Sequence, residues 1–287
     1  MGMLRDRMEG DLKLRGFSPN TQRCYLNCAA RFAAHYGRSP VLMGEREIRQ
    51  FLLHLVKEEH ASPATHRMFV ASLKFLYVVT LRRPREMARV PFPKVPRRLP
   101  VVLTGSEAER VIACIRSIRH RTIAAVAYGA GLRIAEILNL KAQDIDSARG
   151  LIHVRLGKGN KDREVLLGER LLGMLREYWR IVRPRGKWLF PSPAKPGQPV
   201  SERAVCDALA KAVRAARLSK KVTPHLLRHS FATHLLELGN DIEIIQRLLG
   251  HSSSRTTRRY ARVGVEFLRR VKTPFDVVGT PQGEVLR

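Results

Sequence analysis

The sequence predicts a mainly α-helical protein with one small β-sheet, divided into two domains. Most of its 287 residues lie in segments where apolar side chains recur with the period of an amphipathic helix. Only the interval 151–167 alternates as two strands do around a glycine-containing turn. An interval rich in proline and arginine, residues 85–102, separates the helical segments before it from those after it. A chain of this length can bury two hydrophobic cores.

Residues 1–84 predict four helices. Ser18-Pro19 and Ser62-Pro63 each supply a hydroxyl N-cap followed by a proline at the first helical position. Three of these helices have an apolar stripe at helical spacing, so we expect a helical unit. Basic side chains between the stripes predict a face that contacts phosphate, with ordinary solvated charges as the alternative. These residues are Arg23, Arg31, Arg67 and Lys74.

The interval from Arg82 to Pro100 is predicted to link the two domains in an extended conformation. Its five prolines remove helix potential and stiffen the chain. Its arginines, which include Arg97 and Arg98, favour a path along a polyanion. A charged interdomain tether is an alternative that is compatible with this path.

We predict a second domain over residues 103–272. Residues 273–287 show no periodicity and are predicted to be a tail. Helices are expected over 104–117, 122–130, 168–183 and 201–217, with Arg203 of the last one placed for contact with nucleic acid. The strands at 151–156 and 163–167 are expected to pair as a hairpin.

The charge balance predicts a polyanionic partner. The chain has 53 Lys and Arg against 25 Asp and Glu, a formal net charge of +28, which favours nucleic acid. No apolar run is long enough to span a membrane and the N-terminus has no signal-peptide pattern, so we expect a cytoplasmic protein. The four cysteines are expected to be reduced.

The stretch from Thr223 to Tyr260 concentrates groups that can act on a phosphodiester. Thr223 and Pro224 predict a helix start, which places His225 and Arg228 on one face of its N-terminal end. Such a helix end attracts anions. A second helix ends at Gly250, and His251 follows it, nine residues before Tyr260. No zinc motif is present, so no metal is expected.

This stretch resembles the C-terminal signature of the tyrosine recombinases, the family of phage-type integrases and Xer proteins. The resemblance rests on His225-Leu226-Leu227-Arg228, on Leu249-Gly250-His251 and on Tyr260. Upstream, Gly131–Leu140 resembles the first arginine box of that family, with Arg133 and Glu136. Leu156–Leu167 resembles its β-hairpin, with Lys158. The four blocks occur in the order and spacing of the family.

The residue types suggest how these groups would divide the chemistry. Arg133 and Arg228 would neutralise charge on the phosphorane oxygens, and Tyr260 would be the nucleophile. His225 is the candidate general base, and His251 would donate a hydrogen bond to a phosphate oxygen. Glu136 would orient its neighbours. The resemblance implies that Lys158 is the general acid. No cofactor is expected, because the two arginines would stand where a metal ion would otherwise neutralise the phosphate charge.

The resemblance also implies an architecture and partners. It implies an all-α, SAM-like core-binding domain and a mixed α/β catalytic domain, acting on double-stranded DNA as a homotetramer on two sites. Accessory DNA-bending proteins stay open as further partners. Two other functions stay open from the sequence. One is relaxation of supercoils in the manner of a type IB topoisomerase, and the other is a catalytically silent DNA-binding or architectural role.

Overall fold

The protein is described by a computed structural model that covers residues 2–94, 101–155 and 162–250. The chain divides into two compact units, Met1–Leu99 and Pro100–Arg287. Each unit has its own cluster of buried apolar side chains. The expected tail at 273–287 lies outside the described residues.

Over residues 2–94, the first unit contains four α-helices, as predicted from the sequence. They are α1 (Gly2–Leu14), α2 (Pro19–Tyr36), α3 (Glu45–Lys57) and α4 (Pro63–Phe75). The hydroxyls of Ser18 and Ser62 accept hydrogen bonds from the backbone N–H groups of Thr21 and Thr65, so both predicted caps form. A single π-helical turn, Leu76–Thr80, extends α4.

Aromatic rings fill the core of the first unit. Phe32, Phe51, Phe69 and Tyr77 are almost fully buried, and their rings meet edge to face with centroids 5.3 to 6.3 Å apart. The Tyr77 hydroxyl donates to the carbonyl of Pro40 at 3.0 Å, which satisfies the one polar atom of this cluster.

The interval expected to be an extended linker begins as folded chain. Pro84–Met87 forms a short 3₁₀ helix, although the prolines indicated an extended path. Met87 and Val90 pack into the core of the first unit. Their apolar burial outweighs the preference of the neighbouring prolines for extended chain. Arg97 and Arg98 lie outside the described residues.

The second unit contains seven α-helices and three strands among the described residues. They are α5 (Gly105–Ala113), α6 (Ile118–Gly129), α7 (Ile134–Leu138), β1 (Ile145–Asp146), β2 (Leu151–Val154), β3 (Arg163–Leu166), α8 (Glu169–Val182), α9 (Glu202–Ala215), α10 (Pro224–Glu237) and α11 (Ile242–Leu249). The predicted fold class, mainly α with a small sheet, is confirmed.

Helix α6 is the centre of the second unit. Every residue from Thr122 to Gly129 is buried, and helices α5, α7, α8, α9 and α10 all contact α6. Four of these eight residues are alanine or glycine, which lets the neighbouring helices approach closely.

The sheet is a three-stranded antiparallel meander in the order β1-β2-β3. Leu151 pairs with Leu166 and Val154 with Arg163, as expected of a hairpin. Strand β1 has only two residues, which is too short to give a periodic signal, and the sequence did not predict it. Lys158, expected on the hairpin, lies outside the described residues.

Within the ranges that the structure describes, no helix is both long and apolar enough to cross a membrane.

Candidate active site

Arg133 and Glu136 form a local pair at the start of α7. Arg133 is the N-cap of this helix, and its backbone N–H donates to Glu136 Oε2 at 2.8 Å. The Arg133 guanidinium donates through Nη1 to Glu136 Oε1 at 2.9 Å. The pair is sheltered rather than a surface contact, since the Glu136 side chain is only 8% exposed and that of Arg133 27% exposed.

Arg228 reaches the same carboxylate from α10. Thr223 caps this helix through its hydroxyl, and Arg228 lies one turn in, with its side chain 4% exposed. Its Nη1 atom lies 3.6 Å from Glu136 Oε2 and donates to the carbonyl oxygen of Gly131 at 2.6 Å. Residues from two distant segments of the sequence are thus brought together.

Gly131 makes this approach possible. Its φ of +63° lies in the left-handed region, which glycine adopts without strain. A Cβ at this position would overlap the ring of Phe231. The conformation therefore depends on glycine, and it presents the Gly131 carbonyl to Arg228.

A third arginine, which the sequence reasoning missed, completes the cluster. Arg163 of β3 binds Glu136 with both terminal nitrogens, Nη1 to Oε1 at 3.0 Å and Nη2 to Oε2 at 2.8 Å. Its side chain is 10% exposed. Because side chains alternate along a strand, Arg163 shares a face with the buried Val165. A charged residue on the apolar face of a strand was the available signal.

The three guanidinium groups also bind the C-terminal end of α11. Arg163 Nε donates to the carbonyl of Leu248 at 2.9 Å, Arg228 Nη2 to Leu249 at 2.5 Å, and Arg133 Nη2 to Gly250 at 3.1 Å. The last carbonyls of a helix have no partner within the helix and form the negative end of its dipole. The three guanidinium groups therefore supply the missing hydrogen-bond donors to these carbonyls, and their positive charge offsets the negative end of the helix dipole.

The electrostatics of the cluster favour a charged carboxylate and an anionic ligand. Burial acts to raise the pKa of Glu136, but hydrogen bonds and positive charge from Arg163, with hydrogen bonds from Arg133, hold it below its ordinary value. Burial, aided by the charge of Arg133, lowers the pKa of Arg228 to about 10. Arg228 therefore stays protonated at neutral pH, and three cations surround one anion.

The other predicted catalytic residues either make no hydrogen bond to the cluster or lie outside the described residues. His225 is exposed in the first turn of α10, and no hydrogen bond in the described ranges joins it to Glu136 or the three arginines. His251 and Tyr260 lie outside the described residues, as does Lys158. Gly250, the last described residue, ends α11 in the left-handed conformation immediately before His251.

Two further histidines of α10 lie at or near the core. The Nδ1 atom of His234 lies 2.9 Å from the hydroxyl of Tyr128, a buried residue of α6. His229 Nε2 is buried without a hydrogen-bond partner in the described part of the chain. These positions favour structural roles for both histidines.

The predicted DNA-contact residues in the described chain are all exposed, but their surroundings differ. Arg31 pairs with Glu59 at 2.6 Å and stacks over the ring of Phe69. No ion pair involves Arg23 or Arg67 within the described ranges. Lys74 and Arg203 make weaker interactions. The Lys74 Nζ atom lies 5.3 Å from the centre of the Phe92 ring, and Arg203 Nε lies 3.8 Å from Asp207 Oδ2. Arg23 and Arg67 are therefore the most available to a phosphate.

The fold and this cluster define a helical two-unit protein with a sheltered, cationic site. The model of the phage integrase family matches residues 101–266, and that of the phage integrase N-terminal SAM-like domain matches residues 4–86. The chain belongs to this family and is a tyrosine-type site-specific recombinase, an enzyme of DNA recombination and integration.

Relatives of the chain match over nearly its whole length. The integrase/recombinase-like protein y4qK of Sinorhizobium fredii is 44% identical over 98% of this chain and 91% of its own. Tyrosine recombinase XerA of Thermococcus kodakarensis is 37% identical over 97% of each chain. A lambda integrase fragment, solved as a dimer bound to a COC′ core site, has the same fold, with a TM-score of 0.70 and 22% identity over 88% of this chain and 95% of that one.

Proposed function

We propose that this protein cleaves and rejoins double-stranded DNA at specific sites through a 3′-phosphotyrosyl intermediate. The observation that carries the proposal is the convergence of Arg133 and Arg228 on Glu136, 3.6 Å or less from its oxygens. Two guanidinium groups from distant segments, held on one buried carboxylate, suit the non-bridging oxygens of a phosphodiester.

In this proposal the arginines supply the electrostatic part of catalysis. A phosphodiester resists attack because its negative charge repels a nucleophile, and the pentavalent transition state carries more charge on its oxygens. Arg133 and Arg228 neutralise that charge, and Glu136 orients both of them. The hydrogen bonds from Arg133 and Arg228 to Gly250 and Leu249 give way to bonds with the phosphate.

Tyr260 is the proposed nucleophile. Its phenol oxygen attacks phosphorus, and His225 accepts the phenol proton as general base. A phenol has an ordinary pKa of about 10, so it needs both a base and a cationic environment. His251 donates a hydrogen bond to a phosphate oxygen. The exposure of His225 at the N-terminal end of α10 supports its access to DNA.

Lys158 completes the exchange as the proposed general acid. The bond between Tyr260 Oη and phosphorus forms while the bond between phosphorus and the 5′ oxygen breaks. Lys158 donates a proton to that oxygen, which leaves as a 5′ hydroxyl. The phosphotyrosyl bond keeps the energy of the phosphodiester, so a 5′ hydroxyl of another strand can reverse the step without ATP.

The proposal assigns a separate role to each of three intervals of the chain. Residues 1–84 would contact DNA as the core-binding domain, residues 85–102 would follow the duplex, and residues 103–272 would perform catalysis. Arg23, Arg67 and the other exposed basic residues would contact phosphates. The lambda integrase structure bound to its core site supports DNA as the partner. Recombination would require a homotetramer on two sites.

Covalent trapping tests the proposal. The protein is mixed with nicked suicide duplexes cut from DNA that flanks its gene, so that the fragment carrying the 5′ hydroxyl diffuses away after cleavage. We expect a protein–DNA adduct that survives SDS for the native protein, and none for Tyr260→Phe. The phenylalanine variant should bind the same duplexes with unchanged affinity, since only the hydroxyl is lost.

The controls separate chemistry from binding. Arg228→Gln should bind DNA but form adduct at least about a hundredfold more slowly, because half of the charge neutralisation is lost. Binding without any adduct from the native protein, across all flanking duplexes, would refute the cleavage chemistry and indicate a silent DNA-binding protein. Plasmid relaxation by the native protein, without strand exchange, would indicate a topoisomerase.

A further inference from the structure

We infer that Arg163 is a positioning residue of the active site, which holds Glu136 so that Arg133 and Arg228 remain available to the phosphodiester. This inference rests on the proposed function and adds a residue to it. Arg163 lies on β3, 27 residues after Glu136, and binds both of its carboxylate oxygens at 2.8 and 3.0 Å.

Four hydrogen bonds reach the Glu136 carboxylate, two from Arg133 and two from Arg163. Each carboxylate oxygen accepts two bonds: Oε1 from Arg133 Nη1 and Arg163 Nη1, and Oε2 from the Arg133 backbone N–H and Arg163 Nη2. Arg163 thus supplies half of the donors to a carboxylate that is 8% exposed. A buried carboxylate that loses half of its hydrogen-bond donors forms stronger ion pairs with the cations that remain nearby.

The nearest remaining cations are the two proposed phosphate ligands. Arg228 Nη1 is already 3.6 Å from Glu136 Oε2, and Arg133 Nη1 is bonded to Oε1. Without Arg163, the carboxylate would compete with the phosphodiester for both guanidinium groups. With Arg163 in place, Glu136 orients the two arginines without fully neutralising their positive charge, which stays available to the phosphate. Arg163 thereby acts through Glu136.

Arg163 also fixes the element that the other two arginines contact. Its Nε atom donates to Leu248, the carbonyl immediately before those bound by Arg228 and Arg133. Strand β3 is thereby tied to the end of α11 and to the start of α7. A Cβ at Gly250 would lie 3.1 Å from the Arg163 side chain, so the chain passes close over this guanidinium.

The test is a double-mutant cycle on the cleavage rate. The single-turnover rate of adduct formation is measured at protein concentrations that saturate the nicked suicide duplex, and DNA affinity is measured separately. Arg163→Gln should slow cleavage by about a hundredfold, the cost of misplaced catalytic groups, with little change in affinity. Arg163→Lys keeps the positive charge but loses the bidentate hydrogen bonding, so it should recover part of the cleavage rate.

The cycle compares Arg163→Gln in the native and the Glu136→Gln backgrounds. If Arg163 acts through the carboxylate, its loss should cost less than about tenfold once the carboxylate is neutral, because coupled residues are not additive. An equal loss in the two backgrounds would overturn the inference, as would cleavage by Arg163→Gln within about threefold of the native rate. If Arg163→Gln does not fold, the cleavage rates of Glu136→Gln and of the double variant still test the inference. A double variant that cleaves about a hundredfold more slowly than Glu136→Gln would overturn it.

Arg149→Gln is the matched control. Arg149 faces Glu164, the residue next to Arg163 on β3, across 3.7 Å, and its side chain is 47% exposed. Its replacement removes the same charge from the turn between β1 and β2, beside the same sheet, so any general effect on DNA affinity appears in both variants. It should leave the cleavage rate unchanged. No adduct from the native protein would refute the proposed function itself, whereas an active Arg163→Gln variant would refute only the role of Arg163.

Discussion

Arg228 of α10 donates a 2.6 Å hydrogen bond to the carbonyl oxygen of Gly131, 97 residues earlier in the chain. Both residues belong to motifs that the sequence singled out separately. The bond connects these motifs directly, and it exists because Gly131 has a positive φ and no side chain beneath Phe231. The geometry of the cluster therefore depends on a backbone position as much as on its charged groups.

The first prediction concerns Gly131→Ala. The new Cβ would overlap the Phe231 ring, and the left-handed backbone would be strained. We expect the free energy of unfolding to fall by roughly 2–5 kcal/mol, the sum of a left-handed non-glycine residue and an overpacked core. Urea denaturation measures this change.

The control for Gly131 is Gly173→Ala. Gly173 is exposed inside α8, and nothing lies within 4 Å of where its Cβ would be. Alanine should stabilise the protein there by roughly 0.5–1 kcal/mol, because glycine is unfavourable in a helix interior. Equal losses of stability in the two variants would contradict the specific role of Gly131.

The second prediction concerns the pH dependence contributed by Glu136. Its pKa is lower in the folded protein than the ordinary value of 4.5. Near that value the unfolded chain therefore binds more protons than the folded one, and acid favours unfolding. The stabilisation that ionised Glu136 contributes is fully present above its unfolded pKa and is lost as the pH falls through its folded pKa.

Urea denaturation of the native protein and of Glu136→Gln, from about pH 6.5 down to about pH 3.5, tests this sign. The native protein should lose its advantage over the variant as the pH falls. A difference in unfolding free energy that stays constant over this range would contradict the depressed pKa of Glu136.

The third prediction concerns Ser230, which anchors the start of the second unit to α10. Its hydroxyl accepts a hydrogen bond from the backbone N–H of Leu103 at 3.0 Å and donates one to the carbonyl of Leu226. Ser230→Ala leaves the buried N–H of Leu103 without a partner, so we expect a loss of about 1–3 kcal/mol in unfolding free energy.

Thr233→Ala is the comparison for Ser230, on the next turn of α10. The Thr233 hydroxyl donates only to the carbonyl of His229, one turn earlier, which leaves no orphaned donor when it is removed. Its loss should change stability by less than about 0.5 kcal/mol. A similar effect of the two substitutions would argue against the anchoring role of Ser230.

The fourth prediction compares two arginines of the first unit in DNA binding. Arg67 is exposed without an ion pair among the described residues, whereas Arg31 is paired with Glu59. Arg67→Gln should reduce the slope of log affinity against log salt concentration by about 1, the value for one phosphate contact. Arg31→Gln should reduce it by less. A larger effect at Arg31 would show that its pair opens on DNA.

The sequence predicted the helices well because their ends carry local signals. Ser18, Ser62 and Thr223 each cap a helix through the hydroxyl, as expected from the proline that follows each of them. Such signals depend on a few adjacent residues, so they do not require knowledge of the fold.

The features that the sequence did not predict depend on contacts between distant residues. Strand β1 exists only because its two residues, Ile145 and Asp146, pair with Ile152 and Leu151. Met87 and Val90 fold onto the first unit although prolines flank them. Arg163 has no local pattern that reveals its partner, since the carboxylate it binds lies on another element. In each case tertiary packing decides the outcome.

The most direct test of the central claim is to map the covalent bond in the trapped adduct. After nuclease and protease digestion, mass spectrometry should find the remaining nucleotide on the peptide that contains Tyr260, joined through its 3′ phosphate. The released strand should accept a kinase label at its 5′ hydroxyl without phosphatase treatment. A nucleotide on any other residue, or one joined through a 5′ phosphate, would contradict the proposed mechanism.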